Sequence, residues 1–138
     1  MIHFRECPDA GYKPRTIENA SADATIAFAI DFNTAGEILT RNSVREQGKV
    51  YYPVTLGGMI VPYSITNILF CSSIFNKHKV QSLNIAGNGI YTMKNKIPQE
   101  ILDEQIYEFL RLLFLKLDNP ITVIRSGGQT GADEAGIK

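Results

Sequence analysis

The chain has 138 residues, with 14 Lys plus Arg against 14 Asp plus Glu, so its formal net charge is zero. This length predicts one modest domain, and the charge balance argues against a basic nucleic-acid clamp. Hydrophobic residues make up 44% of the chain and charged residues 20%. That composition is typical of a globular protein with a real core and excludes an intrinsically disordered chain.

The sequence offers no sign of a membrane anchor or of a metal site. No apolar run reaches the roughly 18 to 20 residues that a transmembrane helix needs, and the N-terminus lacks the apolar segment of a secretory signal. We therefore expect a cytoplasmic protein with no membrane partner. Cys7 and Cys71 are too few for a disulfide framework and lack the Cys/His spacing of a zinc site. His3 and His78 are expected to be solvated, so we predict neither a metal nor a cofactor.

The first half of the chain changes character near Thr25. Residues 1–24 show no sustained period and predict an irregular N-terminal arm. Residues 24–32 contain a continuous apolar run, which is typical of a parallel strand buried on both faces. Thr34 followed by Glu37 has capping-box spacing and predicts a helix that runs to about Val44. A strand over 50–56 follows, which Pro53 would confine to an edge or a bulge, and then a helix over 63–75.

The second half continues the alternation of strand and helix. A short strand over 82–86 ends in the turn Gly87-Asn88-Gly89. Pro98 suits a helix start, and the apolar residues that follow recur at helical spacing as a core stripe. Residues 121–125 form the last predicted strand. The sequence therefore predicts an α/β fold over 25–138, with a Rossmann-like parallel sheet of about four strands and helices on its faces.

The segment Ser126 to Asp133, SGGQTGAD, is the strongest candidate for chemistry. It follows a strand directly, and its three glycines let backbone amides converge on an anion at the start of a helix. The segment is neither the dinucleotide fingerprint G-x-G-x-x-G nor a Walker A loop. The plainer alternative is a strand-to-helix turn that uses glycine for its geometry.

These residues resemble a known family. The stretch IRSGGQTGAD is similar to the phosphate-binding signature of the SLOG superfamily of Rossmann-like domains, most closely to the form in molybdenum-cofactor carriers. The preceding strand, SLNIAGNG, and the Pro98 helix match related branches, and residues 25–80 resemble phage and bacterial proteins in which an AFAIDF-TAGE segment precedes the loop. The resemblance implies a nucleotide-like ligand held by these residues: Ser126, Gly127, Gly128, Gln129, Thr130, Gly131, Asp133, Gly87, Asn88 and Gly89.

The SLOG resemblance also has limits. Only five residues follow Asp133, whereas the superfamily continues with a full helix and further strands, so we expect a truncated chain. Asn88 and its flanking glycines are also explained by a common short turn. Thr34 and Glu37 are explained by helix capping, although Glu37 and Asp31 follow the first strand of the domain and could face a ligand instead.

Two functions from different classes are consistent with these features. The favoured one is a binding module in which the Gly-rich loop holds the phosphate of a nucleotide or a signalling nucleotide. The alternative is a nucleotide N-glycosidase, by analogy with the phosphoribohydrolase branch, with Asp31, Glu37, Asp133 and Glu134 as candidate carboxylates. Zero net charge argues against a nucleic-acid partner. An incomplete sheet would leave an edge strand open, which favours a homo-oligomer or a swapped arrangement.

Overall fold

A computed structural model describes residues 3–5, 12–56, 63–87 and 99–126. Strands and helices alternate along these ranges, which confirms the predicted α/β class. The elements in chain order are β1 (His3–Arg5), α1 (Tyr12–Asn19), β2 (Ala24–Ala29), α2 (Ala35–Glu46), β3 (Val50–Thr55), α3 (Ile65–Lys77), β4 (Ser82–Gly87), α4 (Gln99–Leu115) and β5 (Val123–Ser126).

The strands of the described residues form one parallel sheet in the order β1-β5-β4-β2-β3. The four strands that the sequence predicts are β2, β3, β4 and β5. β2 lies between β4 and β3, and all its residues are buried, as its continuous apolar run predicts. β3 pairs only with β2 among the described strands. This edge position tolerates Pro53, which has no amide hydrogen to donate.

The N-terminal region differs from the irregular arm that the sequence predicts. β1 adds a fifth strand, which pairs in parallel with β5, and α1 forms before β2. A strand of three residues is too short to show a period. α1 contains Pro14 in its first turn, where the amide would have no partner within the helix, so the proline does not interrupt it.

One face of the sheet packs against α3 and α4 and forms the hydrophobic core. Phe28 from β2 meets Phe109 from α4 edge to face, with ring centroids 5.5 Å apart at 86°, a favourable arrangement for two aromatic rings. The predicted apolar stripe of α4 lies in this core from Ile106 onwards, whereas Ile101, at the start of the stripe, is 47% exposed. Its buried members are Ile106, Phe109, Leu110 and Leu113.

The opposite face of the sheet is more polar and is covered by α1 and α2. Thr25, Asn84 and Arg125 are in register on three neighbouring strands. The side-chain amide of Asn84 donates to Thr25 Oγ1 at 3.2 Å. The Arg125 guanidinium donates to the Glu18 carbonyl at 3.1 Å and to Ser21 Oγ at 2.6 Å. These bonds attach the C-terminal end of α1 to β5.

Candidate functional site at the carboxyl edge of the sheet

The strand order reverses between β2 and β4. From β2 the chain passes through α2 to β3 on one side, and from β3 it crosses through α3 to β4 on the other side of β2. In open α/β sheets, such a reversal leaves a crevice outside the carboxyl ends of the two strands, and ligands bind there. The carboxyl ends of β2 and β4, with β5 beside β4, therefore define the candidate site.

Two of the predicted ligand-binding residues lie within the described part of the chain. Ser126 is the last residue of β5, is buried, and pairs with Ile85. Gly87 is the last residue of β4 and pairs with Phe28 of β2. Both therefore lie at the carboxyl edge of adjacent strands. The other predicted residues lie outside the described residues; they are Asn88, Gly89, Gly127, Gly128, Gln129, Thr130, Gly131 and Asp133.

The turn after β2 supplies polar groups at the same edge. Asp31 is exposed, and its Oδ1 accepts a hydrogen bond from the Asn33 amide at 2.8 Å. This short loop leads into Thr34, whose Oγ1 accepts from the Glu37 amide at 3.3 Å and caps α2. The cap fixes where the helix begins, so the first turn of α2 lies at the carboxyl edge.

Glu37 is more than a capping residue. Its side chain is only 3% exposed, and its Oε2 has no hydrogen-bond partner among the described residues. Burial raises the pKa of this carboxyl to about 7; the charge of Arg41 opposes the rise, and that of Asp31 adds to it. A buried carboxyl with that pKa changes protonation near neutral pH.

Tyr51 is a second buried polar group that the sequence analysis did not single out. Tyr51 lies on β3, and its buried hydroxyl has no hydrogen-bond partner among the described residues. The pKa of Tyr51 is raised to about 12, chiefly by burial and also by the charge of Glu37, while the charges of Arg41 and Arg45 oppose the rise. Alternation along β3 could have identified it, because Tyr52 is a core residue and its neighbour Tyr51 must face α2.

The basic segment at 77–79 lies at the opposite edge of the sheet. Lys77 ends α3, which begins near the carboxyl edge and runs towards the amino end of β4. His78 is exposed, as predicted. Lysine at a helix C-terminus interacts favourably with the helix dipole. Because this end of α3 lies at the opposite edge of the sheet, these cations are separated from the candidate site.

Across the described ranges, no group of three or more His, Cys, Asp or Glu residues could hold a metal ion.

Comparisons with known proteins support the fold. No protein-family model matches the sequence, and no curated protein matches it either. The structure is similar to the crystal structure of a protein named "putative molybdenum carrier protein" from Syntrophus aciditrophicus, with a TM-score of 0.62 and 20% sequence identity. The match covers 79% of this chain and 64% of that one, so the chain spans about two thirds of the length of its neighbour. The similarity shows a Rossmann-like α/β fold.

None of the described helices is long and apolar enough to span a membrane.

Proposed function

We propose that this protein binds a nucleotide or a nucleotide-derived ligand through its phosphate at the carboxyl edge of the sheet. The observation that carries the proposal is the reversal of strand order between β2 and β4, because ligands of open α/β sheets bind at such a point. β5 ends beside β4 at this edge, and the Gly-rich sequence starts directly after it.

The chemistry of the Gly-rich segment suits a phosphate. Backbone amides of Gly127, Gly128 and Gly131 can approach an anion closely because glycine has no side chain in the way. Ser126 and Thr130 add hydroxyl donors. In this proposal the phosphate binds to the segment that follows β5, and the sugar or base extends towards Gly87 and the β2 turn.

The SLOG resemblance supports the same proposal. Residues 124–133 resemble the phosphate-binding signature of that superfamily, and the structural neighbour has a similar fold. The name of that neighbour adds a molybdenum-containing ligand to the compounds worth testing. No residue pattern in this sequence is specific for a pterin, so a nucleotide remains the proposed ligand.

The N-glycosidase alternative is favoured by one observation, the buried carboxyl of Glu37. Its pKa of about 7 would let it exchange a proton at neutral pH, as a general acid or base must. Glycosidic cleavage also needs a carboxylate near the ribose, and Asp31 is exposed at the same edge. Binding alone requires neither carboxylate, so the two functions predict different products.

A ligand titration tests the proposal. The purified chain is screened by thermal shift and calorimetry against adenine and guanine nucleotides, ADP-ribose, cyclic nucleotides and molybdate. The variants are Gly128→Val, which fills the proposed phosphate site, and Ser126→Ala. The matched control is Ser43→Ala, because Ser43 is as buried as Ser126 but lies towards the other end of α2.

We expect one nucleotide to raise the melting temperature of the wild type and of Ser43→Ala, and to lose this effect in Gly128→Val. Chromatography of the bound ligand then separates the two functions. Intact nucleotide indicates a binding module, and free base with sugar phosphate indicates a glycosidase. Stabilisation that survives in Gly128→Val, or no stabilisation by any nucleotide, contradicts phosphate binding at this loop.

A further inference from the structure

Glu37 is a buried carboxyl at the edge of the sheet where the proposed ligand binds. It belongs to the first turn of α2, which begins at the carboxyl edge beside the β2 turn. Its side chain is only 3% exposed, and its Oε2 has no hydrogen-bond partner among the described residues. A buried carboxylate oxygen without a hydrogen bond is costly, so the position of Glu37 in the fold disfavours its charged form.

The groups around Glu37 offset this cost only in part. Arg41, one turn further along α2, favours the charged form, whereas the charge of Asp31 in the β2 turn disfavours it. On β3, the Tyr51 hydroxyl interacts with the Glu37 charge and stays neutral, because its pKa is raised to about 12. α1 meets the other end of α2, where the Gln47 side chain donates to the α1 backbone at 3.0 Å. The pKa of Glu37 is therefore raised to about 7, chiefly by burial.

An anionic ligand at the same edge adds a second negative charge. β4 lies between β2 and β5, and neighbouring strands are about 4.8 Å apart, so the ends of β2 and β5 are separated by about 10 Å. A phosphate bound to the segment after β5 therefore lies on the order of 10 Å from the first turn of α2. Like charges disfavour ionisation at this range, so the ligand and an ionised Glu37 oppose each other without touching.

We propose that Glu37 makes ligand binding at the carboxyl edge depend on pH. The inference rests on the proposed function, because it needs an anion bound after β5. While Glu37 is protonated, the site binds its anionic ligand tightly. Once Glu37 is ionised, the two negative charges repel each other and the affinity falls. By linkage, binding of the anion makes Glu37 take up a proton.

Coulomb's law sets the size of the effect. Two unit charges about 10 Å apart, at an effective dielectric constant of about 20, change a binding constant roughly tenfold, and the change shrinks as salt is added. The affinity should therefore be highest below the Glu37 pKa of about 7, fall roughly tenfold by about pH 8.5 and then level off. At about pH 7.5, each binding event should take up about half a proton.

Calorimetric titration with ADP-ribose at about pH 5.5 and about pH 8.5, at low ionic strength, tests this coupling. ADP-ribose is a suitable probe because its phosphates are fully esterified, whereas a terminal phosphate has a second pKa of about 6 that would titrate in this range. We expect the wild type to lose affinity roughly tenfold between the two pH values and Glu37→Gln to bind equally at both. The matched control is Glu46→Gln, at the exposed last residue of the same helix, which should behave like the wild type. Circular dichroism at both pH values shows that each protein is folded.

Proton uptake separates this coupling from the titration of other groups. His3 begins β1 and His78 follows α3, both at the amino edge of the sheet, and they titrate alike in all three proteins. Titrations at about pH 7.5 in HEPES and in Tris, which differ in heat of ionisation, count the protons exchanged: about half a proton taken up by the wild type and none by Glu37→Gln.

Two results would overturn the inference and leave the proposed function intact. One is ADP-ribose binding with the same affinity at both pH values in the wild type, and the other is an equal loss of affinity in Glu37→Gln. If ADP-ribose binds at neither pH, the inference also fails, and the nucleotide panel then decides the proposed function separately.

Discussion

Glu37 provides the sharpest quantitative prediction, because its carboxyl is buried, its Oε2 has no hydrogen-bond partner within the described ranges, and such a group links folding to pH. Its pKa rises from the ordinary 4.5 to about 7 in the folded protein. Below pH 4.5 the carboxyl is protonated in both the folded and the unfolded state, so it does not change the free energy of unfolding. Between 4.5 and about 7 the unfolded chain releases the proton while the folded chain keeps it, so stability falls as pH rises.

The magnitude follows from that shift. One pH unit corresponds to about 1.4 kcal/mol, so a rise from 4.5 to about 7 removes about 3 kcal/mol of unfolding free energy once the pH exceeds the folded pKa. Glu37→Gln keeps the shape of the side chain and carries no charge at any pH. The variant should therefore gain stability relative to the wild type across this window, and the gain should level off above pH 7.

Urea unfolding of both proteins at about pH 4 and at about pH 8 measures this difference. Titrating groups that do not interact with Glu37 are common to both proteins and cancel in the comparison. The matched control is Glu46→Gln, at the exposed last residue of the same helix, which makes the same chemical change at a position that is not buried. If Glu37→Gln shows the same difference at both pH values, Glu37 is not a buried titrating group and the description of the α2–β3 contact is wrong.

Two further predictions concern groups outside the candidate site. Cys71 is buried and its pKa is raised by burial, so in a Cys7→Ala background it should react with a thiol reagent only after urea is added; labelling of the native protein would contradict this. Asp23 accepts hydrogen bonds from the amides of Gln81 and Ser82 at 3.0 and 3.1 Å. Asp23→Ala should cost about 1 to 3 kcal/mol in urea unfolding, whereas Asp118→Ala, at an exposed position, should cost much less, and equal losses would refute a specific role for Asp23.

The sequence predicts most of the sheet because apolar runs and helical spacing act locally. The apolar run at residues 25–30 predicts a strand buried on both faces, and β2 is such a strand. The apolar residues from Ile106 to Leu113 lie in the core, as their helical spacing predicts. The two N-terminal elements, β1 and α1, could not be predicted from the sequence for a physical reason. β1 depends on its pairing with β5, and α1 is held by Arg125, so neither element has a strong signal of its own.

The candidate site is only partly predictable for the same reason. Thr34 and Glu37 have the spacing of a capping box, and the Thr34 half of it forms. The carboxyl of Glu37 is instead buried, and its charge acts on Tyr51 of β3, an interaction between helix and strand that no local pattern encodes. The Gly-rich segment after Ser126 is evident from its residues, but the ligand depends on groups that several strands bring to one edge.

The measurement that tests the central claim most directly is an amide chemical-shift titration of the isotope-labelled protein with the nucleotide that gives the largest thermal shift, or with ADP if none does. The account predicts that shifts cluster at the carboxyl edge, at Gly87, Ser126 and residues 30–34, while Asp23, Lys49 and Gln81 at the amino edge stay unchanged. Shifts confined to the amino edge, or no shift at millimolar ADP, would contradict a nucleotide site at the carboxyl edge of this sheet.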